Sequence, residues 1–215
     1  MSQSPLARIA GPLAIVAGTL VIGTRLAIML TTPTELGDGL KAFALSPTFA
    51  VISVLSIVGF AFLALALVAV YEREGPAAGW FGVVGVGAAL IGTVFMTGDW
   101  WYEAFAVPWM ADVSPHVFET GAGGRLMAGG LASFALFAIG WALFGAASLR
   151  ARVFPRSISL GILVGGVLAG IPIAGAYLYG SLLFGVAIAA LGVWLARAAT
   201  VGTEAPQAVM AEARG

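Results

Sequence analysis

The chain has 215 residues, of which 60% are hydrophobic and only 9% are charged, and its formal net charge at pH 7 is zero. A soluble domain carries about 25% charged residues, so this composition excludes a water-soluble globular protein and requires lipid to cover most of the surface. The neutral balance excludes a nucleic-acid-binding protein, and the absence of cysteine excludes disulfides, thiolate metal sites and cysteine nucleophiles.

Apolar stretches of sufficient length to cross a bilayer occupy most of the chain. A crossing needs about 20 mostly apolar residues, and it must be helical because unpaired backbone groups are costly in hydrocarbon. We therefore predict an all-α, polytopic transmembrane helical bundle in one domain, residues 1–199, with six spans at 8–30, 47–71, 77–97, 125–149, 156–174 and 178–197. If the nearly uncharged stretch after 156 forms one long tilted helix instead of two, the bundle has five spans.

The short loops differ in their content of basic residues, which predicts the orientation. Arg150, Arg152 and Arg156 lie in one loop, and basic loops stay on the cytoplasmic side. We expect a multi-pass protein of the bacterial cytoplasmic (inner) membrane with both termini in the cytoplasm. The segment 98–124 is then external, and the polar end, 200–215, is a disordered cytoplasmic tail.

Four glycines at helical spacing mark the fifth predicted span: Gly161, Gly165, Gly166 and Gly170. Small residues let helix backbones approach closely, and close packing holds membrane helices together. We interpret these glycines as helix-packing positions inside one bundle. A dimer interface or a hinge is the alternative.

One basic and two acidic residues are predicted to lie at the same membrane level. Arg25 lies inside the first span near its outer end, where a charge is a functional hypothesis by default unless the side chain extends to the headgroups or forms a structural ion pair. Asp99 and Glu103 are four residues apart and share one face if the third span continues as a helix. This polar or ion-pair site could bind a cation, shuttle protons or act as an acid–base pair; two solvated acids at the interface are the simpler interpretation.

Aromatic residues surround these acids at Trp100, Trp101, Tyr102 and Trp109. Tryptophan and tyrosine are enriched at membrane–water interfaces, so we predict an aromatic belt, with an aromatic ligand platform as the alternative.

A weaker external candidate is formed by Asp112, His116 and Glu119. Zinc sites prefer more histidine or cysteine ligands than this string contains, so we predict no metal site. His116 is the only histidine and lies outside the spans, which excludes a transmembrane haem with two histidine ligands. We expect no cofactor.

Three functions remain open, and no catalytic residue is assigned. The first is a non-enzymatic accessory, assembly or structural subunit in the lipid bilayer, with a membrane-protein partner or a second copy of the chain. The second is a small transporter or channel with an external mouth at Arg25, Asp99 and Glu103, although transporters usually place their sites near the membrane centre. The third is a membrane enzyme acting on a lipid-like substrate at the outer face, with Asp99, Glu103 and His116 as its acid–base groups.

Overall fold

In the computed structural model of the protein, residues 5–33, 38–114, 116 and 123–212 are described, and their secondary structure is helical, as the sequence predicts. The elements are α1 (Pro5–Thr31), α2 (Asp38–Ala44), α3 (Pro47–Trp101), a π-helix (Tyr102–Ala106), α4 (Val107–Val113), α5 (Gly124–Ala151), α6 (Arg156–Ala169) and α7 (Ala174–Glu212).

Helix α3 has two arms. It begins at a cap in which the Ser46 hydroxyl accepts a hydrogen bond from the Phe49 N–H at 3.1 Å, followed by Pro47 in the first turn. Gly79 interrupts the helix with φ 60° and ψ −159°, a conformation that only glycine adopts readily. The arms cover Pro47–Glu72 and Gly79–Trp101.

The glycine contacts fix the direction of each helix in the bundle. Between α1 and α7, Gly18 lies against Gly185 and Gly11 lies against Gly192, so the two helices are antiparallel. The first arm of α3 is antiparallel to α1, because Gly59 lies against Leu20 while Val70 lines one cavity with Ala14. Three other neighbouring pairs are antiparallel by the same reading, from the contacts Gly92–Leu136 and Gly85–Phe144 (second arm of α3 and α5), Gly145–Leu163 and Gly170–Ala138 (α5 and α6), and Gly161–Ala187 and Gly165–Phe184 (α6 and α7). The described chain therefore runs along the bundle six times in alternating directions.

Five of these passes are long and apolar enough to cross a membrane: Pro5–Thr31, Pro47–Glu72, Gly79–Val113, Gly124–Ala151 and Gly175–Ala198. They are the helices of a multi-pass membrane protein. The remaining pass, α6, has 14 residues and is about 21 Å long at 1.5 Å per residue, against about 30 Å of hydrocarbon. Six membrane spans therefore stay a prediction.

Helix α6 ends at Ala169, before the end of the predicted span at 174. Pro172 accounts for the early end, because its ring has no N–H and disfavours helical conformation in the residue before it. Helix α7 begins at Ala174 and ends at Glu212. The predicted tail, 200–215, covers the last residues of this helix and also residues 213–215, and only 213–215 lie outside the described ranges.

Aromatic residues fill the middle of the bundle. Trp141 is 1% exposed, and its ring contacts those of Phe137, Phe144 and Phe184 with centroids 4.7–6.1 Å apart. Its indole N–H donates to the Thr93 hydroxyl at 3.1 Å and thereby joins α5 to the second arm of α3. We call Phe137, Trp141, Phe144 and Phe184 the aromatic plug.

A second, smaller core lies beside the main one. It consists of Ala44, Phe49, Val107 and Ala111, with Phe43, Tyr102 and Met110 packed against it. It joins α2 and α4 to the start of α3. The first part of the predicted external segment, 98–113, is helical and continues the second arm of α3.

Candidate functional site

Arg25 is buried in α1 with only 1% of its surface exposed. Its Nε, Nη1 and Nη2 atoms have no hydrogen-bond partner among the described residues. The side chain therefore does not extend to the surface, as a snorkelling arginine would. A buried cation without a hydrogen-bonded anion is costly, so something other than hydrogen bonds must offset part of that cost.

Two aromatic rings contact the Arg25 guanidinium. Its Cζ atom lies 4.3 Å from the centroid of the Trp100 ring and 5.2 Å from that of the Tyr177 ring. A desolvated cation–π contact contributes about 2 kcal/mol, so the two contacts offset part of the desolvation cost. The two rings interact with the positive charge of the guanidinium, and its N–H groups have no acceptor among the described residues.

Asp99 is the nearest acid in sequence to this aromatic contact, because it directly precedes Trp100. The carboxylate is half-buried and interacts electrostatically with Arg25. It faces α5 at Gly130, where an added Cβ would lie 3.9 Å from Asp99 Oδ1. The structure thus brings Asp99 toward Arg25 without a hydrogen bond between the two side chains.

Glu103 lies in the π-helix, one turn after Asp99. It is half-buried, and the two carboxyls interact electrostatically. Pro108 explains the π-helix, since it has no N–H to offer the carbonyl of Ala104 and its ring crowds that carbonyl. The backbone widens instead, and the Val107 N–H donates to the Tyr102 carbonyl five residues back. Single π-helical turns are frequent at functional sites.

We call the three predicted residues Arg25, Asp99 and Glu103 the polar cluster. They come from α1, α3 and the π-helix, and Asp99 interacts electrostatically with both Arg25 and Glu103. One cation beside two carboxyls can hold a proton, a cation, or a molecule that carries both signs of charge.

The four predicted belt residues have different surroundings. Trp101 and Trp109 are 58% and 65% exposed, and the Tyr102 hydroxyl donates to Met110 Sδ at 3.5 Å. Trp100 differs because it is 6% exposed and contacts Arg25. Successive helical residues are 100° apart, so Trp100 faces the bundle while Trp101 faces outward.

The external candidate site is only partly described. Asp112 and His116 are exposed, and Glu119 lies outside the described residues. Within the described ranges, no three histidine, cysteine, aspartate or glutamate residues are close enough to hold a metal ion.

The four glycines of the predicted fifth span, three in α6 and Gly170 directly after it, contact two helices of the same bundle. Gly161 and Gly165 face Ala187 and Phe184 of α7, while Gly166 and Gly170 face Trp141 and Ala138 of α5.

The sequence did not identify two residues beside the polar cluster, Tyr177 and Gly130. A lone tyrosine 152 positions after Arg25 gives no signal of contact with it. Gly130 belongs to a glycine-rich helix start, where no pattern distinguishes it from its neighbours.

Comparisons with protein-family models, curated proteins and solved structures find no match to this chain.

Proposed function

We propose that this protein is a non-enzymatic accessory or assembly subunit that contacts a membrane-protein partner through the helical pass Gly79–Val113. The observation that supports the proposal is an exposed stripe of three aromatic residues and one valine, Trp101, Phe105, Trp109 and Val113, which we call the aromatic stripe. These residues follow one another at intervals of four, and each is 53–65% exposed.

The length of the helix separates this stripe from an ordinary lipid-facing surface. Residues Gly79–Val113 form a pass of 35 residues, about 52 Å at 1.5 Å per residue, against about 30 Å of hydrocarbon. If Gly79 lies at one boundary of the hydrocarbon, Trp101 is at the other and Trp109 lies beyond it. Apolar side chains exposed in that position are typical of a protein contact.

The middle of the bundle favours a subunit over a carrier. The aromatic plug fills it, and the Thr93 hydroxyl there is bonded to Trp141 and to its own helix at Ala89. A small cavity beside the plug is lined by apolar residues such as Leu63, Leu67 and Ile188.

The test is recovery of a partner from the native host in mild detergent. We expect a membrane protein at fixed stoichiometry with the wild type, and a loss of most of it with Trp109→Ala or Phe105→Ala. Phe95→Ala is the matched control, because Phe95 is on the same pass, is 48% exposed and lies within the length that hydrocarbon covers.

Equal recovery with Trp109→Ala and Phe95→Ala would contradict the stripe as a contact surface. Recovery of a second copy of this chain alone would replace the partner with a homodimer.

A second candidate, a small transporter, is favoured by the polar cluster. Three ionisable side chains converge at one end of the bundle, and the arginine has no hydrogen-bonded counter-ion among the described residues. In proteoliposomes, proton-coupled flux should be abolished by Asp99→Asn and by Glu103→Gln. Flux that survives both substitutions would remove the acids from a transport mechanism, and absence of flux in the wild type would favour the subunit.

A further inference from the structure

We propose that one end of the bundle binds the anionic headgroups of membrane phospholipids through four exposed arginines. These residues, which we call the basic face, are Arg8, Arg150, Arg152 and Arg156. The basic face is a different surface from the aromatic stripe, so the inference does not depend on the accessory role.

A buried phenylalanine fixes the turn between α5 and α6, which carries three of the four arginines. The Phe154 side chain is 5% exposed. Its ring centroid lies 5.7 Å from that of Trp194 in α7 and 6.3 Å from that of Phe144 in α5. This anchor directs the turn to the end of the bundle where Trp194 lies, and the arginines on either side of Phe154 remain exposed.

The fourth arginine, Arg8, lies at the same end on α1. Gly11 packs against Ala196 of α7, two residues after Trp194. Arg8 precedes Gly11 by three residues, about 4.5 Å at 1.5 Å per residue. The basic face therefore combines the start of α1 with the turn between α5 and α6.

An exposed tryptophan indicates the level of this end in the membrane. Trp80 is 79% exposed and lies five residues before Gly85, which packs against Phe144. Arg150 lies six residues after Phe144 on the antiparallel α5, so Trp80 and Arg150 are at about the same level. Exposed tryptophans of membrane proteins concentrate at the membrane–water interface. The arginines are thus at the height of the lipid headgroups.

The backbone of Arg152 has a conformation that glycine adopts more readily than arginine. Its φ is 54° and its ψ is 36°, and its N–H and that of Val153 both donate to the Ser148 carbonyl at the end of α5. Glycine is the usual residue at such a helix end. The chain contains 30 glycines, yet this position holds arginine, which costs conformational energy there. A use of the exposed side chain outside the helix accounts for that cost.

The charge of this end favours an anionic partner. The acid described here is Glu72, the last residue of the first arm of α3, and the next two residues in the sequence, Arg73 and Glu74, have opposite charges. The described side chains therefore carry an excess of positive charge. Guanidinium groups bind phosphate with paired N–H donors, and basic residues beside a membrane attract anionic lipids. The level of Trp80 favours lipid headgroups over an acidic protein.

The experiment is native mass spectrometry of the delipidated full-length protein, titrated with phosphatidylglycerol and phosphatidylcholine of identical acyl chains. One arginine near an anionic membrane surface contributes about fivefold, so several together should make phosphatidylglycerol bind about tenfold more tightly than phosphatidylcholine or better. Raising the ammonium acetate concentration should reduce this preference, because salt screens exposed charges. Equal affinity for the two lipids would overturn the proposal and leave an acidic protein as the partner of this end.

Variants separate lipid binding from a structural role of the arginines. Arg152→Gly should weaken phosphatidylglycerol about fivefold while the free energy of unfolding stays the same or rises, because glycine suits the positive φ. If Arg152 only stabilised the end of α5, the same variant would lower the free energy of unfolding and keep the lipid preference. Arg156→Gln should also weaken phosphatidylglycerol, without a change of backbone conformation.

Arg125→Gln is the matched control, because Arg125 is exposed in the first turn of α5, at the opposite end of the helix. It removes the same charge and should keep the preference for phosphatidylglycerol. An unchanged preference in both Arg152→Gly and Arg156→Gln would refute the basic face. An equal loss in Arg125→Gln would also refute it, because the preference would then follow the total charge of the protein.

Discussion

The glycine contacts between α1 and α7 allow a quantitative test of what holds the bundle together. A Cβ added at Gly18 would lie 2.6 Å from the Ala189 backbone nitrogen and 2.9 Å from the Ala189 Cβ, whereas ordinary contacts begin at 3.4 Å. The substitution Gly18→Ala therefore requires α1 and α7 to separate by nearly 1 Å. Overpacking of this kind costs about 1–3 kcal/mol.

Alanine also favours a helix over glycine by up to about 1 kcal/mol, so the contact cost must be measured against a control. Gly23→Ala is that control, because Gly23 is on the same helix and an added Cβ meets nothing within 4 Å. We expect Gly23→Ala to be neutral or stabilising, and Gly18→Ala to have a free energy of unfolding about 1–3 kcal/mol lower than that of the control.

The assay is equilibrium unfolding in mixed micelles, followed by tryptophan fluorescence. Gly18→Ala and Gly23→Ala would be measured beside the wild type in one detergent. Equal stability of the two variants would refute the reasoning, because it would mean that the contact between α1 and α7 can relax without loss.

Three further substitutions should also lower the free energy of unfolding in the same assay. Thr93→Val leaves the buried Trp141 N–H without its acceptor and should cost about 1–3 kcal/mol, part of which should be recovered in the double variant with Trp141→Phe. Ser46→Ala removes the cap of α3 and should cost about 1 kcal/mol. Gly79→Ala forces φ 60° and ψ −159° on an alanine and should cost about 1–3 kcal/mol, whereas Gly87→Ala, where an added Cβ is free of contacts, should cost nothing. If Thr93→Val, Ser46→Ala or Gly79→Ala left the free energy of unfolding unchanged, the argument for that residue would be wrong.

The helical class was predictable because lipid imposes it. Hydrocarbon offers no partner to backbone groups, so long apolar stretches have to be helices. The end of a helix was less predictable where a single proline determines its position. Pro172 lies inside the predicted fifth span, and the structure ends α6 at Ala169. Apolar residues continue past the break, so hydropathy alone cannot locate it.

The sequence predicted that the residues of the polar cluster lie at one level of the membrane, but it did not predict which side chains contact them. Arg25 and Asp99 each lie near the same predicted boundary, and the structure brings them into electrostatic range. The interpretation of Trp100 depended on which side of its helix faces inward. Tryptophan is common both in cores and at interfaces, so composition could not separate its position from that of Trp101.

The packing glycines of α1 and α7 illustrate a signal that was present and not used. Gly11 and Gly18 are seven residues apart, as are Gly185 and Gly192, and in the structure these four positions face each other. Seven residues are close to two helical turns, so each pair occupies one face of its helix. The four glycines predicted as packing positions, at 161–170, are closer together and therefore easier to recognise in the sequence.

The distribution of these contacts explains how the fold tolerates a buried arginine. Removing an arginine from water costs several kcal/mol, and the aromatic rings of Trp100 and Tyr177 return only part of it. The remaining stability must come from elsewhere, and the contact of Gly18 with α7 lies seven residues before Arg25 on α1, about 10 Å at 1.5 Å per residue. This contact and the polar cluster are thus separated along the bundle, so Gly18→Ala should lower the free energy of unfolding while Glu103→Gln should change it little. A Glu103→Gln variant that lost as much stability as Gly18→Ala would show that the cluster is a structural element of the bundle.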